Sequence, residues 1–404
     1  MTLTDMHSDI GDAIREQTGG SALIPIAGMP TEIRSIQSGG GGGGLEPKDV
    51  NFYTPYGDLV AAYTVAELQG LSALPAAPAL DRLVFQEWGW TLAELKAAHR
   101  PVDVGGNYTT ESGKSEFDLL LNAVTGLSVT LRFQNTGSTL YVDYGDGNTE
   151  NVIGVGNRIL THNYAAYGQY TVSVESSGTY RPFGADSPLT NMFGPGASAV
   201  CIAARFGTGC SGLGVRSFYD CHALRSITMP SGGFAPENHA LRNCVQLGCL
   251  ILPRGMGFTG NLCQGNTNMS LAIAAADVNA GAAYGFASCP ALTSYSIGNT
   301  QTIIADNTFR YNSGMQSIII PAEVSQIGVY AFDGGVNMRK YVLCRATPPT
   351  LLNVNAFSGI SAQCEMVVPQ GSLPAYQAAT NWATYAAYMR EMTTAEMTQY
   401  GLAV

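Results

Sequence analysis

Phe309-Arg310-Tyr311-Asn312-Ser313-Gly314-Met315-Gln316-Ser317-Ile318-Ile319-Ile320-Pro321 is the stretch whose reading decides the fold. Its pattern is aromatic-x-x-small-x-x-apolar-x-x-apolar-x-apolar-Pro, and it returns as Phe218, Cys221, Leu224, Ile227, Met229 and Pro230. Eight copies begin at Phe193, Phe218, Leu241, Cys263, Phe286, Phe309, Phe332 and Phe357, spaced 22 to 25 residues apart. A period of that length places one supersecondary unit in each turn of a solenoid, because a single unit cannot bury its apolar face alone.

Working outward from the copy start, each position acquires a role. Pairs nine and eleven residues on, such as Ile227 and Met229, Leu250 and Leu252, and Ile318 and Ile320, alternate at period two and predict a short strand with one face inward. Proline follows at Pro230, Pro253, Pro321 and Pro369 and ends the strand, since it has no N–H to donate. Cys221, Cys244 and Cys289 share the small position three residues after the start, which reads them as buried thiols. An apolar residue five before the start recurs as Leu213, Phe258, Ile304, Ile327 and Leu352. Ala272 and Ala274 stand where other copies carry larger core residues.

The tenth residue after each start should point away from the core. These are Ala203, Thr228, Ile251, Ile273, Ser296, Ile319, Val342 and Val367, and most are aliphatic. A solvated strand face would be polar, so the stripe implies a cover. Ile251, Ile273, Ile319 and Val342 are therefore expected to bind a sister subunit or partner, the alternative being a strand or helix of the same chain.

Composition removes several function classes. The 404 residues carry 12% charged side chains and a net charge of -10, with four lysines, which offers no footprint for nucleic acid or an anionic membrane. No apolar run reaches membrane-spanning length, and Met1 to Pro30 lacks the basic-then-apolar pattern of an export signal. No Gly-x-Ser-x-Gly, His-Glu-x-x-His, Cys-x-x-Cys or phosphate-cradling loop occurs, and the five histidines are scattered. Asp277 and Glu323 share a repeat position two turns apart, at or beyond the reach of a glycosidase pair. The expectation is a protein with no catalytic residues, no metal and no cofactor.

Ile327-Gly328-Val329-Tyr330-Ala331-Phe332, followed by Met338 and Tyr341, resembles the BspA-type leucine-rich repeat of bacterial surface adhesins and phage tail proteins. The closing stretch from Val367 to Tyr376, with Asn381-Trp382, is similar to the way such arrays end, which implies a capping helix.

Two modules precede the array. Val142-Asp143-Tyr144-Gly145-Asp146-Gly147, then His162, Tyr164, Gly168, Tyr170, Val172 and Val174, resembles the polycystic-kidney-disease (PKD) β-sandwich. Val129, Leu131 and Phe133 alternate as a strand, and Asp143 and Asp146 read as turn formers, with calcium ligation the lesser role. Farther upstream, Asn51-Phe52-Tyr53 through Gly57-Asp58 reads as a hairpin, and Thr64 and Thr91 as caps of short helices. That pattern, with Phe85, Trp88 and Trp90, is similar to the β-grasp-like Listeria-Bacteroides repeat; the two tryptophans read as core residues rather than a sugar-stacking site.

At the start of the chain, Ile10 and Ile14 fall at helical spacing with Met6 and Ala13, and Ile33 and Ile36 lie in a second short helix after Pro30. Gly39 to Gly44 form a flexible tether of roughly 12 to 15 Å reach. This arrangement resembles the attachment segments of phage tail proteins, which implies an anchor.

The expected protein is mainly β and multidomain: a helical anchor over 1–37, a tether over 38–47, a β-grasp-like module over 48–110, a PKD-like sandwich over 111–180, the solenoid over 181–370 and a helical cap over 371–404. The expected role is a phage tail fibre or tail-tip adhesin in the virion. It would join other tail proteins through its N-terminus, bind a host-surface glycan or protein, assemble as a homo-oligomer such as a trimer, and contact neither nucleic acid nor the membrane interior. A bacterial surface adhesin is the alternative, and a sugar-degrading tailspike a more distant one.

Overall fold

The computed structural model describes residues 45–402 apart from 187–188, 195–199, 258 and 279–281. The expected anchor residues Ile10, Ile14, Ile33 and Ile36 and the run Gly39 to Gly44 lie outside the described residues, as does Phe258.

The first module pairs β1 (Val50–Tyr53) antiparallel with β2 (Leu59–Tyr63), then continues through α1 (Val65–Gln69), β3 (Leu83–Trp88), α2 (Leu92–Ala98) and β4 (Val102–Thr110). Its sheet runs β2-β1-β4-β3 with β1 and β4 parallel at the centre. Helices of five and seven residues do not persist alone, so caps and core contacts hold them. The Thr64 hydroxyl accepts the Glu67 N–H and the Glu67 carboxylate accepts the Thr64 N–H; Thr91 and Glu94 repeat this box. Leu68 and Leu95 then reach a core shared with Phe52, Trp88, Trp90 and Val104.

The second module is a two-layer sandwich. One layer is β11-β6-β9, formed by Tyr180–Pro182, Ser128–Asn135 and Gly156–Asn163. The other runs β5-β10-β7-β8, formed by Ser115–Leu121, Gly168–Ser176, Thr139–Asp143 and Thr149–Ile153. Val129, Leu131 and Phe133 face Val172 and Val174 in its interior, all buried. Between β7 and β8, Gly145 and Gly147 take positive φ of 74° and 90°. Asp143 accepts the Gly145 N–H at 2.9 Å and Asp146 the Asn148 N–H at 3.1 Å, the turn role expected of both.

After a short hairpin of β12 (Ala185–Asp186) and β13 (Leu189–Thr190), the solenoid begins with β14 (Cys201–Arg205). Its main rungs are β15 (Ser226–Thr228), β16 (Cys249–Leu252), β17 (Leu271–Ala274), β18 (Ser294–Ser296), β20 (Ser317–Ile320), β22 (Lys340–Leu343) and β24 (Glu365–Val368). A second parallel ladder, β19 (Ile303–Ile304), β21 (Gln326–Ile327) and β23 (Thr350–Leu351), buries Ile304, Ile327 and Leu351. Here Leu352 departs from expectation and is exposed: the last copy is two residues longer, so Leu351 takes the inward place.

The copy starts form a stacked aromatic column. Phe286, Phe309, Phe332 and Phe357 lie nearly parallel at centroid separations of 5.9, 5.4 and 5.2 Å. The small position beside it carries a hydrogen-bond ladder. Asn266 accepts the Cys244 N–H at 2.8 Å, and Asn312 accepts the Cys289 N–H at 2.9 Å. The small Ala272 pairs in register with Tyr295, whose ring lies 5.0 Å from both Phe286 and Phe309.

Both ends of the solenoid are closed within the chain. At the first end β14 pairs antiparallel with β5 and parallel with β15, so the sandwich sheet runs into the solenoid as β15-β14-β5-β10-β7-β8. At the last end β24 pairs with β25 (Met389–Glu391), beneath α3 (Leu373–Ala378) and a 3-10 turn over Trp382–Tyr388. Trp382 donates to the Pro349 carbonyl at 2.7 Å, and Tyr376, Trp382 and Tyr385 are buried. One apolar core runs from Phe117 to Met389.

All nine cysteines are buried and unpaired with one another. Burial pushes Cys210, Cys289, Cys344 and Cys364 up to about 12 and Cys201, Cys221 and Cys263 well above their usual value. A buried thiol held in its protonated form is a poor nucleophile. The native protein is therefore expected to leave Ellman's reagent unreacted at pH 8 and to yield nine thiols only in denaturant. Truncating the aromatic column with Phe309→Ala should cost about 3–5 kcal/mol, read from urea unfolding.

Candidate binding surface

The outward stripe is covered, and the covers come from the same chain. Ile251, Ile273 and Val342 are 6%, 0% and 2% exposed, and Ile319 is part-buried. For Ile251, Ile273 and Val342 this corrects the expectation of a sister subunit or partner in favour of its alternative, a cover from the same chain; Ile319 lies at the margin of that cover. The cause lies in β4 and the C-terminal helix α4 (Thr394–Gln399).

β4 lays its second face across the rungs. Val102, Val104, Gly106 and Tyr108 alternate with Asp103, Gly105, Asn107 and Thr109, and members of the second set meet the solenoid. The Asp103 N–H donates to Ser296 Oγ at 2.8 Å, and the Thr109 hydroxyl donates to the Phe206 carbonyl at 3.3 Å. At Gly105 a Cβ would lie 2.5 Å from Ile251 Cγ2, so only glycine lets the strand approach this closely. The geometry explains the fit: six residues of strand span ~20 Å and four rung spacings ~19 Å.

Polar anchors fix this docking. Trp90 Nε1 donates to the Ala274 carbonyl at 3.1 Å, and the Ala276 N–H to the Gly89 carbonyl at 3.0 Å. Trp88 and Trp90 are thus core and junction residues, closed to stacking sugars. Arg254 grips Glu94 with a two-bond fork at 2.8 and 3.0 Å. Arg205 of the first rung and Arg82 of the first module both hold Glu116, at 3.3 and 2.6 Å, tying three modules at one point.

At the other end Met392, Met397 and Tyr400 cover Val342, Cys344 and Val367, with Ile319 at the margin. Glu396 accepts from Arg390 at 2.7 and 2.9 Å and from Lys340 at 2.7 Å. Arg390 above all holds the Glu396 carboxyl well below the usual range.

Other sequence candidates have structural partners. Asp146 bonds His162 Nε2 at 2.8 Å, and the His162 ring stacks on Tyr144 at 4.0 Å. Asp277 accepts the Gly255 N–H at 3.1 Å, while Glu323 is exposed. Among the described residues no group of three or more His, Cys, Asp or Glu side chains is placed to hold a metal ion.

What remains open is the turn ridge. Two residues before the copy starts stand Arg216, His239, Asn261, Tyr284, Asn307 and Tyr330, all left-handed at φ 54° to 62°. Two after the starts stand Asp220, Asn243, Ser288 and Tyr311, with Gly265 and Gly334, again at positive φ. Alternating left- and right-handed residues turns successive N–H groups the same way. Asn307, Phe309 and Tyr311 accordingly donate to Val329, Ala331 and Asp333 of the next coil at 2.9, 2.8 and 2.7 Å. The left-handed places are thus imposed by the coil-to-coil ladder.

At the ridge's later half the exposed residues are aromatic. Tyr284 is 36% and Tyr311 51% exposed. Arg310 lies 4.5 Å from the Tyr311 ring and 4.6 Å from the Tyr330 ring, and its Nε donates to Asp333 at 2.9 Å. Gly334 makes room for the Tyr311 ring, whose Cδ1 a Cβ would meet at 2.6 Å. Sequence reading missed this ridge; the recurrence of Asn, Asp and Gly two residues either side of the starts was the available signal.

Residues 204–270 and 280–373 match the BspA type leucine rich repeat region in six copies. The repeat region is therefore a BspA-type leucine-rich repeat solenoid, and the start at Phe193 lies upstream of the matched segments. Among solved structures, the chain is similar to the pneumococcal vaccine antigen PcpA at 11% identity and a TM-score of 0.28, over 45% of this chain and 64% of that one. A leucine rich cell surface protein from Faecalibacterium prausnitzii matches at 15% identity and 0.26, over 46% and 50%. A leucine-rich repeat protein from Bacteroides ovatus matches at 14% and 0.25, over 40% and 54%. The chain thus spans less than two thirds of each. No curated protein matches it.

Two outcomes test the covered face. Gly105→Val should displace β4 at a cost of about 1–3 kcal/mol and speed hydrogen exchange at Ile251 and Ile273. The Glu94 carboxyl feels burial pushing its pKa up, outweighed by Arg254 and the Thr91 cap, which hold it at about 2 against its usual 4.5. A lowered folded value means the contact stabilises fully above pH 4.5 and fades as pH falls toward 2. Arg254→Gln should flatten that part of the acid-unfolding curve.

Proposed function

We propose that this chain is a non-enzymatic binding protein acting at a cell surface, with the turn ridge of its solenoid as the contact surface. The observation that carries the reading is the set Tyr284, Tyr311 and Tyr330 at left-handed positions, with Arg310 against the rings of the last two. A bulky residue pays about 1–2 kcal/mol for that conformation. Asn307, Asn243 and Gly334 fill equivalent places with less strain, so the tyrosines are retained for what their rings present. Tyrosine offers an apolar face and a hydroxyl, suited to a surface glycan or protein.

The upstream modules, read as Listeria-Bacteroides-repeat-like and PKD-like, serve in this account to cover the strand face and close the first end. Of the two carriers we take the cell-surface adhesin, which the BspA-type repeat match supports without recourse to residues outside the described part. The tail-fibre reading rests on a resemblance in residues outside the described part, together with a repeat type that both carriers share. Association of copies, as in a trimer, would use surfaces other than the covered stripe.

Labelled full-length protein should bind whole bacterial or host cells. Tyr311→Asn together with Tyr330→Asn, which keeps the turns, should weaken that binding roughly tenfold or more with the melting temperature retained. Undiminished binding by a folded double variant would remove the ridge from the reading. Antibody labelling of intact producing cells, rather than of released phage particles, identifies the adhesin.

A further inference from the structure

Between its two covers the outward strand face is open at one rung. A polar cleft of about 190 Å³ lies there over Ser317 and Ile319, walled by Lys48, Asp49 and Asn51, by residues 100–103 and by residues 294–297. Arg100 lines it at 5% exposure. Its Nη2 donates to the Ile297 carbonyl at 2.8 Å and to Asn299 at 3.0 Å, and its guanidinium stands 5.5 Å from the Trp90 ring. Among the described residues Arg100 forms no ion pair, and its Nε and Nη1 make no hydrogen bond. These two nitrogens flank Cδ and so offer separate N–H groups rather than a paired edge, and neither is among the fully buried atoms that lack a partner.

The other charges of the wall are engaged. Asp103 accepts from Asn51 at 3.0 Å and from Ser294 at 2.6 Å, and Asp49 accepts the Val65 N–H at 3.0 Å. Lys48 is held by Glu67 at 2.9 Å. Burial pulls the Arg100 pKa down, and the weaker influence of Cys344 and Glu323 does not offset it. A guanidinium N–H without a partner suits a carboxylate oxygen, and a buried site strengthens that bond. Ser296 accepts the Asp103 N–H and keeps its own proton to donate, and Ser317 is exposed at the mouth. At this size the cleft has room for a single sugar unit.

We propose that this cleft binds a small carboxylate-bearing, hydroxyl-rich ligand, an acidic sugar unit, with its carboxylate on an unbonded N–H of Arg100 and its hydroxyls on Ser296 and Ser317. The test is calorimetry on the full chain with D-glucuronate, D-glucose and acetate. Glucuronate is expected to bind at least tenfold tighter than either. Arg100→Gln should abolish this, and so should Ser317→Trp, which fills the mouth without touching the Arg100 anchors. Tyr311→Asn should leave it unchanged, which separates this site from the ridge. No binding of glucuronate, equal binding of glucose or acetate, or undiminished binding by a folded Ser317→Trp variant would overturn the proposal.

Discussion

Every coil of this array makes an apolar surface it cannot bury by itself, and the architecture of residues 45–402 is organised by that deficit. Inward, the deficit is met by stacking: Phe286, Phe309, Phe332 and Phe357 each shelter the next. Stacking leaves two open ends, and an open parallel edge offers unpaired N–H and C=O groups. The sandwich strand β5 closes one end and β25 the other, the second under a plug of Tyr376, Trp382 and Tyr385. The upstream modules are thus parts of a single fold rather than separate beads.

The same deficit on the outward face explains the docking of the first module. Ile251 and Ile273 would stand exposed on a bare strand face, and Gly105 lets β4 descend onto them. Trp90, Arg254 and Asp103 then satisfy the polar groups this approach buries. With most of that face closed, the surfaces left for the proposed ligand contacts are the turn ridge and the gap beside Ile319.

Left-handed turns link fold to function. The coil-to-coil ladder demands them whatever residue occupies the site, and Asn, Asp or Gly meet the demand at low strain. Where Tyr284 and Tyr311 stand instead, the ring is displayed on a backbone whose N–H is held by the next coil. A rigid display of this kind lowers the ordering cost of binding.

Sequence alone determined the period, the inward columns, the buried thiols, the Thr64 and Thr91 caps and the Asp143–Gly147 turn. Each follows from local spacing and side-chain chemistry, which neighbouring residues suffice to impose. It also required that the apolar stripe be covered. What covers it was decided by tertiary structure, since β4 and α4 reach Ile251 and Val342 from far along the chain and no period connects them. The placement of Arg100 is of the same kind: its bonds to Ile297 and Asn299 bring together residues almost 200 positions apart, and only the docked module makes that wall.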